Sequence, residues 1–441
     1  MTTPSEKPCL LDLNDVDLRL SRGTEILAHE PGFATWTGAR LELGLSAHAA
    51  AWRHPRQTHH QHWQVLDTSP LTHLGKRVRH AGDLAYLQLE ALRRKAGNPR
   101  RVILLHPGHW QRAQLGLLLG IAEAAGFEVV GIVESSAAVG ATLPPGTYHF
   151  VEASLEQTLV TALEVDATKA RRMGQRAVTE AGFLALERAV ITVIVAAFLQ
   201  ESRFDPLHDG GTEQLLHDQL AEWLSLLARR EEISLVITHR GVRHLATLRR
   251  AAVESALAPH RVALKQACGD GPALLDDRLA RFPGLLDGWP NATLLPPLSA
   301  QRGILESPDL NLLSADGLVS RAELAVVPGP RSLPAGLSGD VVAATTGATH
   351  VLAGARAQGL AAGPWYVDAA CALHRTRPAD TVATLSADAS GGRVETPGGS
   401  PLRVNGAAAV GSRHLAPGDR LEVLGCDRVL LAIAVTDGDA A

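Results

Sequence analysis

Apolar and polar positions alternate from the start of the chain. The stretch CLLDLNDVDLRLSRGTEILAHEPGFATW, beginning at Cys9, has a period of two around Arg22-Gly23 and Glu30-Pro31-Gly32, which predicts two or three antiparallel strands. After a polar loop, HPRQTHHQHW, the segment DLAYLQLEALRRKAG sets Leu84, Leu87, Leu89 and Leu92 at helical spacing, stopped by Gly97 and Pro99. The pattern then changes. RRVILLHPG is a continuous apolar run ending in a Pro-Gly loop, QRAQLGLLLGIAEAAGF is an apolar helix, and EVVGIVES is a second apolar run. Strand, helix and strand with short links predict a parallel pair joined by a crossover helix. AAVGA opens a further short helix, TYHFVEA is a weaker strand, and SLEQTLVTALEV fits either strand or helix.

From Asp166 to about Ala258 the pattern is mainly helical, with long apolar helices over FLALERAVITVIVAAFLQ and TEQLLHDQLAEWLSLLARR. A strand, ISLVITH, and a helix, VRHLATLRRAAVESAL, come next; NATLLPPLSAQRGIL reads as strand, loop and short helix. No internal repeat is visible. After Pro308, Gly, Pro, Ser and Thr become frequent and short strands separated by turns take over, with Asn405-Gly406 as a hairpin turn. The expected division is residues 1–305 as one large α/β unit, 306–335 as a linker and 336–441 as a small all-β domain.

Composition narrows the function classes. A chain of 441 residues that is 46% hydrophobic has material for more than one core. Its net charge of -4 and 4% aromatic content argue against nucleic-acid partners. Lysine is confined to Lys7, Lys76, Lys95, Lys169 and Lys265, so lysine-dependent chemistry has few places to sit. Cys9, Cys268, Cys371 and Cys426 form no CxxC pair and are expected to be free thiols in a reducing compartment. MTTPSEKP lacks the features of a secretion signal. The most apolar stretch, Ala189 to Leu199, is about half of the roughly 20 residues a spanning helix needs. A cytoplasmic protein with no integral membrane segment is the expectation. His54, His59, His60 and His62 crowd one loop without an HExxH spacing or a nearby carboxylate, so no metal site is expected there.

VILLHPGHWQRAQLGLLLGIAEAAGFEVVGIVESSAAVGA, from Val102 to Ala141, resembles a segment of the nucleotide-binding domain of DnaK-like heat-shock chaperones. Pro107, Gln114, Ala125-Gly126, Val129-Val130 and Glu134-Ser135-Ser136-Ala137-Ala138 carry the resemblance, and weaker matches extend it over residues 9 to 305. It implies a two-lobed actin/DnaK-like, ribonuclease H-like fold with a nucleotide cleft. The eroded cleft is expected at Asp12, Asn14, Asp15, Glu134, Glu152, Gly269, Asp270 and Gly271.

The residue types at those positions disfavour phosphate. A polyphosphate cradle needs glycines and free backbone N–H groups. Asn14 and Asp15 stand where the family has a glycine and a hydroxyl residue, and Phe150-Val151-Glu152-Ala153-Ser154-Leu155 has no glycine. Gly269-Asp270-Gly271-Pro272 splits the glycine pair of the adenosine loop and lacks its arginine. The region resembling the catalytic-lysine segment, QTHHQHWQVL, has no lysine. The last strands, from Leu402 onward, resemble a forkhead-associated (FHA) β-sandwich, which implies phosphothreonine binding through an arginine after a glycine and a Ser-x-x-His loop. Gly392-Arg393 offers the first, and no histidine follows in VETPGGSPLRV. The function implied is a non-catalytic actin/DnaK-like scaffold or adaptor that binds a protein partner and needs no cofactor. The alternatives are a divergent chaperone-like ATPase using ATP and Mg through Asp12, Glu134 and Glu152, and an actin-like filament or membrane-machinery adaptor.

Overall fold

A computed structural model describes residues 7–75, 78–307, 320–329, 331, 333, 350–353, 356–360, 363–388, 391–404, 407–409, 411–415, 419–424, 426 and 428–433. The chain forms two compact units, residues 1–341 and 342–441. The first is mixed α/β and the second all-β.

The first unit opens with the expected antiparallel meander, β1 (Cys9–Asp12), β2 (Leu18–Arg22) and β3 (Glu25–Glu30). An excursion of small elements follows: β4 (Ala34–Trp36), β5 (Leu41–Leu43), α1 (Gly44–His48) and β6 (Thr58–His59), with β4 between β5 and β6. The chain returns through α2 (Ala81–Lys95) to β7 (Arg101–His106), α3 (Arg112–Ala124), β8 (Glu128–Glu134) and α4 (Ser135–Gly140). β7 and β8 are parallel, and β7 also runs parallel to β1. A second meander comprises β9 (Gly146–Ala153), β10 (Thr158–Val165) and β11 (Lys169–Val178). Then come α5 (Phe183–Ser202), α6 (Gly210–Leu227), the hairpin β12 (Glu232–His239) and β13 (Val242–Arg249), α7 (Arg250–Cys268), β14 (Ala273–Leu275), β15 (Ala292–Leu294) and α8 (Ser299–Glu306). Two short strands end the unit: β16 (Ser320–Arg321), parallel to β8, and β17 (Glu323–Ala325), antiparallel to β11.

The sheet orders are β16-β8-β7-β1-β2-β3 and β15-β14-β9-β10-β11-β17. In each, the first strand of an antiparallel meander extends into parallel strands, β7, β8 and β16 in the first sheet and β14 and β15 in the second, where β17 lies at the meander edge. The same plan is thus built twice in a chain whose sequence shows no repeat. Sequence position does not mark the duplication because topology is set by which strands bury apolar faces, and many residue choices meet that demand.

Three expectations change. Lys169 to Val178, placed in a helical region, is a ten-residue strand. It pairs along its length with β10 but only at Lys169, Ala170 and Arg171 with β17, so its polar residues remain accessible and hide the strand pattern. Val242 to Arg249, read as the start of a helix, is the second arm of a hairpin. Its turn places Arg240 at φ 50° and Gly241 at φ 80°, the double left-handed geometry of a type I′ turn. Finally, the expected linker contains β16 and β17, so residues 320–325 belong to the first unit, an edge strand for each of its sheets. Residues 308–319 and the Asn405-Gly406 turn lie outside the described residues.

α5 has 20 residues and is, among the described residues, the one helix long and apolar enough to cross a membrane. Phe183, Leu186, Val190, Ile194 and Phe198 form one face buried in the core shared with α6 and α7. α6 begins on Asp209, whose carboxylate accepts the N–H groups of Gly211 (2.9 Å) and Thr212 (3.4 Å). Asp209→Ala is expected to lower stability by about 1 kcal/mol in urea unfolding, the usual cost of a lost N-cap.

In the second unit, the described residues form a six-stranded and a five-stranded sheet around one core that includes Val351, Val367, Leu385, Leu402 and Leu421. Arg393 lies inside the strand Gly391–Thr396, in register with Ser386 on one side and His414 on the other. The Gly392-Arg393 pair therefore sits in a sheet rather than in a recognition loop, and Arg393 reaches Ser412 and Glu395.

Candidate functional site

The C-terminal ends of β1, β9 and β14 converge, because the parallel register of each sheet aligns strand ends and both sheets present those ends to one place. Asp12 ends β1, Glu152 sits near the end of β9, and Asp276 follows β14. α8 closes over them, so tightly packed on α4 that a Cβ on Gly303 would lie 1.8 Å from the Ala138 carbonyl oxygen. Only glycine allows that approach.

Arg278 occupies the centre. Its guanidinium donates to Asp12 Oδ2 at 2.8 Å, to both oxygens of Asp276 at 3.3 and 3.1 Å, and to the Asp17 carbonyl at 2.8 Å. Gln301 of α8 donates to Asp12 Oδ2 at 3.3 Å. Beside this group Arg19 bridges Asp17 at 2.7 Å and Asp277 at 3.0 Å. Asp12, Arg19, Glu152, Asp276 and Arg278 are all buried. The cavity left among them is about 10 Å³, near the least that one water needs.

The two loops expected to hold phosphate hold each other instead. Asn14 Nδ2 donates to the Ala153 carbonyl at 2.9 Å, and Asp15 Oδ1 accepts the Leu155 N–H at 2.8 Å. The N–H groups of Leu13, Asn14, Val16 and Asp17 are bonded to Leu105 O, Asp12 Oδ1, Asn14 Oδ1 and Asn14 O. The Ser154 N–H is bonded to Gln157 O. Donors that would cradle an anion are thus consumed internally.

Electrostatics point the same way. Burial pushes Glu152 up to about 8, and the carboxylates of Asp276 and Asp12 add to the effect. Burial also raises Asp15 to about 6, against the Leu155 N–H, which favours its ionised form. Asp276 is raised by burial, with Arg278 opposing. For Arg278 burial disfavours the charge, but the surrounding aspartates, Asp12 first, hold its pKa well above the usual value. Two buried arginines meet a larger set of acidic side chains, so a polyanion gains nothing by entering.

Other expected residues do not join this group. Glu134, at the end of β8, faces Arg172 of β11, whose Nε lies 3.2 Å from Glu134 Oε2; burial raises its pKa and Arg172 opposes the rise. Gly269, Asp270 and Gly271 lie before β14, at the opposite end of that strand from Asp276. Gly271 there packs on the His149 ring and Asn291 donates to the Asp270 carbonyl. The loop that does meet Asp12 is Asp276-Asp277-Arg278, and sequence reasoning missed it. Its signal was a charged triplet set directly after the apolar run Ala273-Leu274-Leu275, where the chain is still buried.

In the histidine-rich loop, His62 bonds Gln88 at 2.9 Å and His60 pairs with Glu156 at 2.6 Å. Among the described residues no group of three or more His, Cys, Asp or Glu side chains is arranged to hold a metal ion. Comparison with protein-family models gives no match. Comparison with curated proteins gives none either.

Proposed function

We propose that this chain is a degenerate actin/DnaK-like protein that acts as a non-catalytic scaffold or adaptor, binding a protein partner without nucleotide. The observation that carries this reading is the filled cleft: Arg278 and its aspartates occupy the meeting point of two sheets that share a five-strand order. The repeated five-strand order supports a two-lobed ribonuclease H-like ancestry, because two meanders each extended by at least two parallel strands are unlike a single doubly wound sheet. The strand–helix–strand–helix run from Arg101 to Gly140 supports the DnaK-like assignment on the residues quoted above. The six- and five-stranded sheets of the second unit support an FHA-like sandwich. With Arg393 inside a strand, phosphothreonine capture is no part of the proposal.

Titration of Mg-ATP into the full chain is expected to release no saturable heat, and the chain is expected to hydrolyse no ATP. A saturable isotherm would overturn the reading. So would turnover abolished by Asp12→Ala, which would restore the ATPase alternative.

A further inference from the structure

A cavity of about 470 Å³ lies away from the filled cleft, between the excursion after β3 and helices α5 and α6. Its volume is in the range of small-molecule sites. One wall is aromatic: Phe33 lies over His60 with ring centroids 5.4 Å apart, and Trp52 stacks on His217 at 3.4 Å and 16°. Burial lowers His217 to about 3, so at neutral pH that ring is an uncharged surface. The facing wall is the α5 ridge of Leu184, Glu187, Arg188 and Ile191. The walls are fixed to one another by Gln214 of α6, which accepts the Trp52 N–H at 3.1 Å and donates to the His48 carbonyl at 3.0 Å. A preformed cavity avoids the ordering cost of binding.

Its charges are uneven. His60 is taken up by Glu156, towards whose carboxylate Arg188 also acts. The acidic side chains of Glu187 and Glu213 also line the cavity, alongside Arg188. Glu187 is buried, and the nearest cation, Arg281, stands 3.9 Å away with its guanidinium over the Phe183 ring. A buried carboxylate so weakly paired is costly unless a cation reaches it. Burial raises Glu187 to about 7 and Glu213 above its ordinary value, so a cation beside them favours their ionised forms, whereas an anion would disfavour them and an apolar guest would leave them unpaired. Aromatic walls and carboxylates together select a positive group with apolar surface.

We propose that this cavity binds a compact organic cation, an ammonium group bearing an apolar body, its charge against Glu187 and Glu213 and its body against Phe33, Trp52 and Ile191. The walls come from the excursion after β3 and from α5 and α6, so the ligand touches both.

The test is calorimetric titration of the full chain with benzyltrimethylammonium, benzyl alcohol and phenylacetate. The cation is expected to bind saturably, the neutral alcohol about tenfold or more weaker, and the anion not at all. Glu187→Gln keeps the side-chain shape and is expected to weaken the cation by about tenfold. Glu213→Gln, nearer the surface, is expected to weaken it a few-fold, with circular dichroism confirming that both variants fold. Absence of cation binding at millimolar concentration would overturn the proposal. Equal binding of cation and alcohol, or unchanged cation affinity in both folded variants, would do so as well.

Discussion

Replacing Arg278 by methionine is expected to cost the first unit about 3–5 kcal/mol, measured as a loss of unfolding free energy in urea. Methionine preserves much of the side-chain length, so the loss comes from charge rather than from a void. Asp12 and Asp276 would be left buried without their guanidinium, and the Asp17 carbonyl without its donor. The size of the effect follows from an asymmetry: an intact buried ion group adds little net stability, while removing one member strands the others. The triple variant Asp12→Leu, Asp276→Leu, Arg278→Met should therefore recover most of what the single variant loses. If the single change costs under about 1 kcal/mol, Arg278 is not the element that holds the two sheets together at this point.

That prediction turns on a residue the sequence hid. Asp12 and Glu152 were expected in a cleft only through the resemblance to DnaK-like chaperones, and each proves to stand at or near the end of an apolar strand. Arg278 lies 266 residues from Asp12, and no spacing rule connects them. The same contrast governs the fold. β7, α3 and β8 were legible because strands covered on both faces must be almost wholly apolar, and the helix between them is a long apolar run bounded by polar residues. β11 was not, because its three-residue pairing with β17 stops at Arg171 and leaves Gln175 and Arg176 beyond it in place of an apolar stripe. The hairpin of β12 and β13 was half-read. β12 shows its alternation, but Arg240-Gly241 does not announce a type I′ turn as Asn-Gly would. Gly269 to Gly271 misled for a related reason. Glycines mark places where the backbone must turn, and here they turn it at the wrong end of β14 for the cleft.

Glu152→Gln is expected to make the protein more stable at pH 8 and to change it little near pH 4.5. In the folded chain Glu152 keeps its proton up to about 8, while in the unfolded chain it ionises near its ordinary value of 4.5. Below pH 4.5 both states are protonated and the group adds no pH dependence. Between pH 4.5 and 8 the folded state binds the extra proton, so stability falls as pH rises, by about 1.4 kcal/mol per unit at full effect. Above pH 8 the loss is complete. The buried histidines act with the opposite sign: His48 and His106, lowered to about 4 by burial, and His62, lowered to about 3, destabilise the fold as pH drops below 6.5. Asp15, raised to about 6, has finished titrating by neutrality. Glu187, raised to about 7 by burial, shares the sign of Glu152 but reaches its limit sooner. Between pH 7 and 8 Glu152 therefore carries most of the slope, with a smaller part left to Glu187. Urea unfolding there should show a clearly falling stability in the parent chain and a shallower fall in the variant, since glutamine has no proton to lose. Parallel slopes in the two proteins would show that Glu152 is ionised in the cleft. The excess negative charge argued to exclude phosphate would then be larger still.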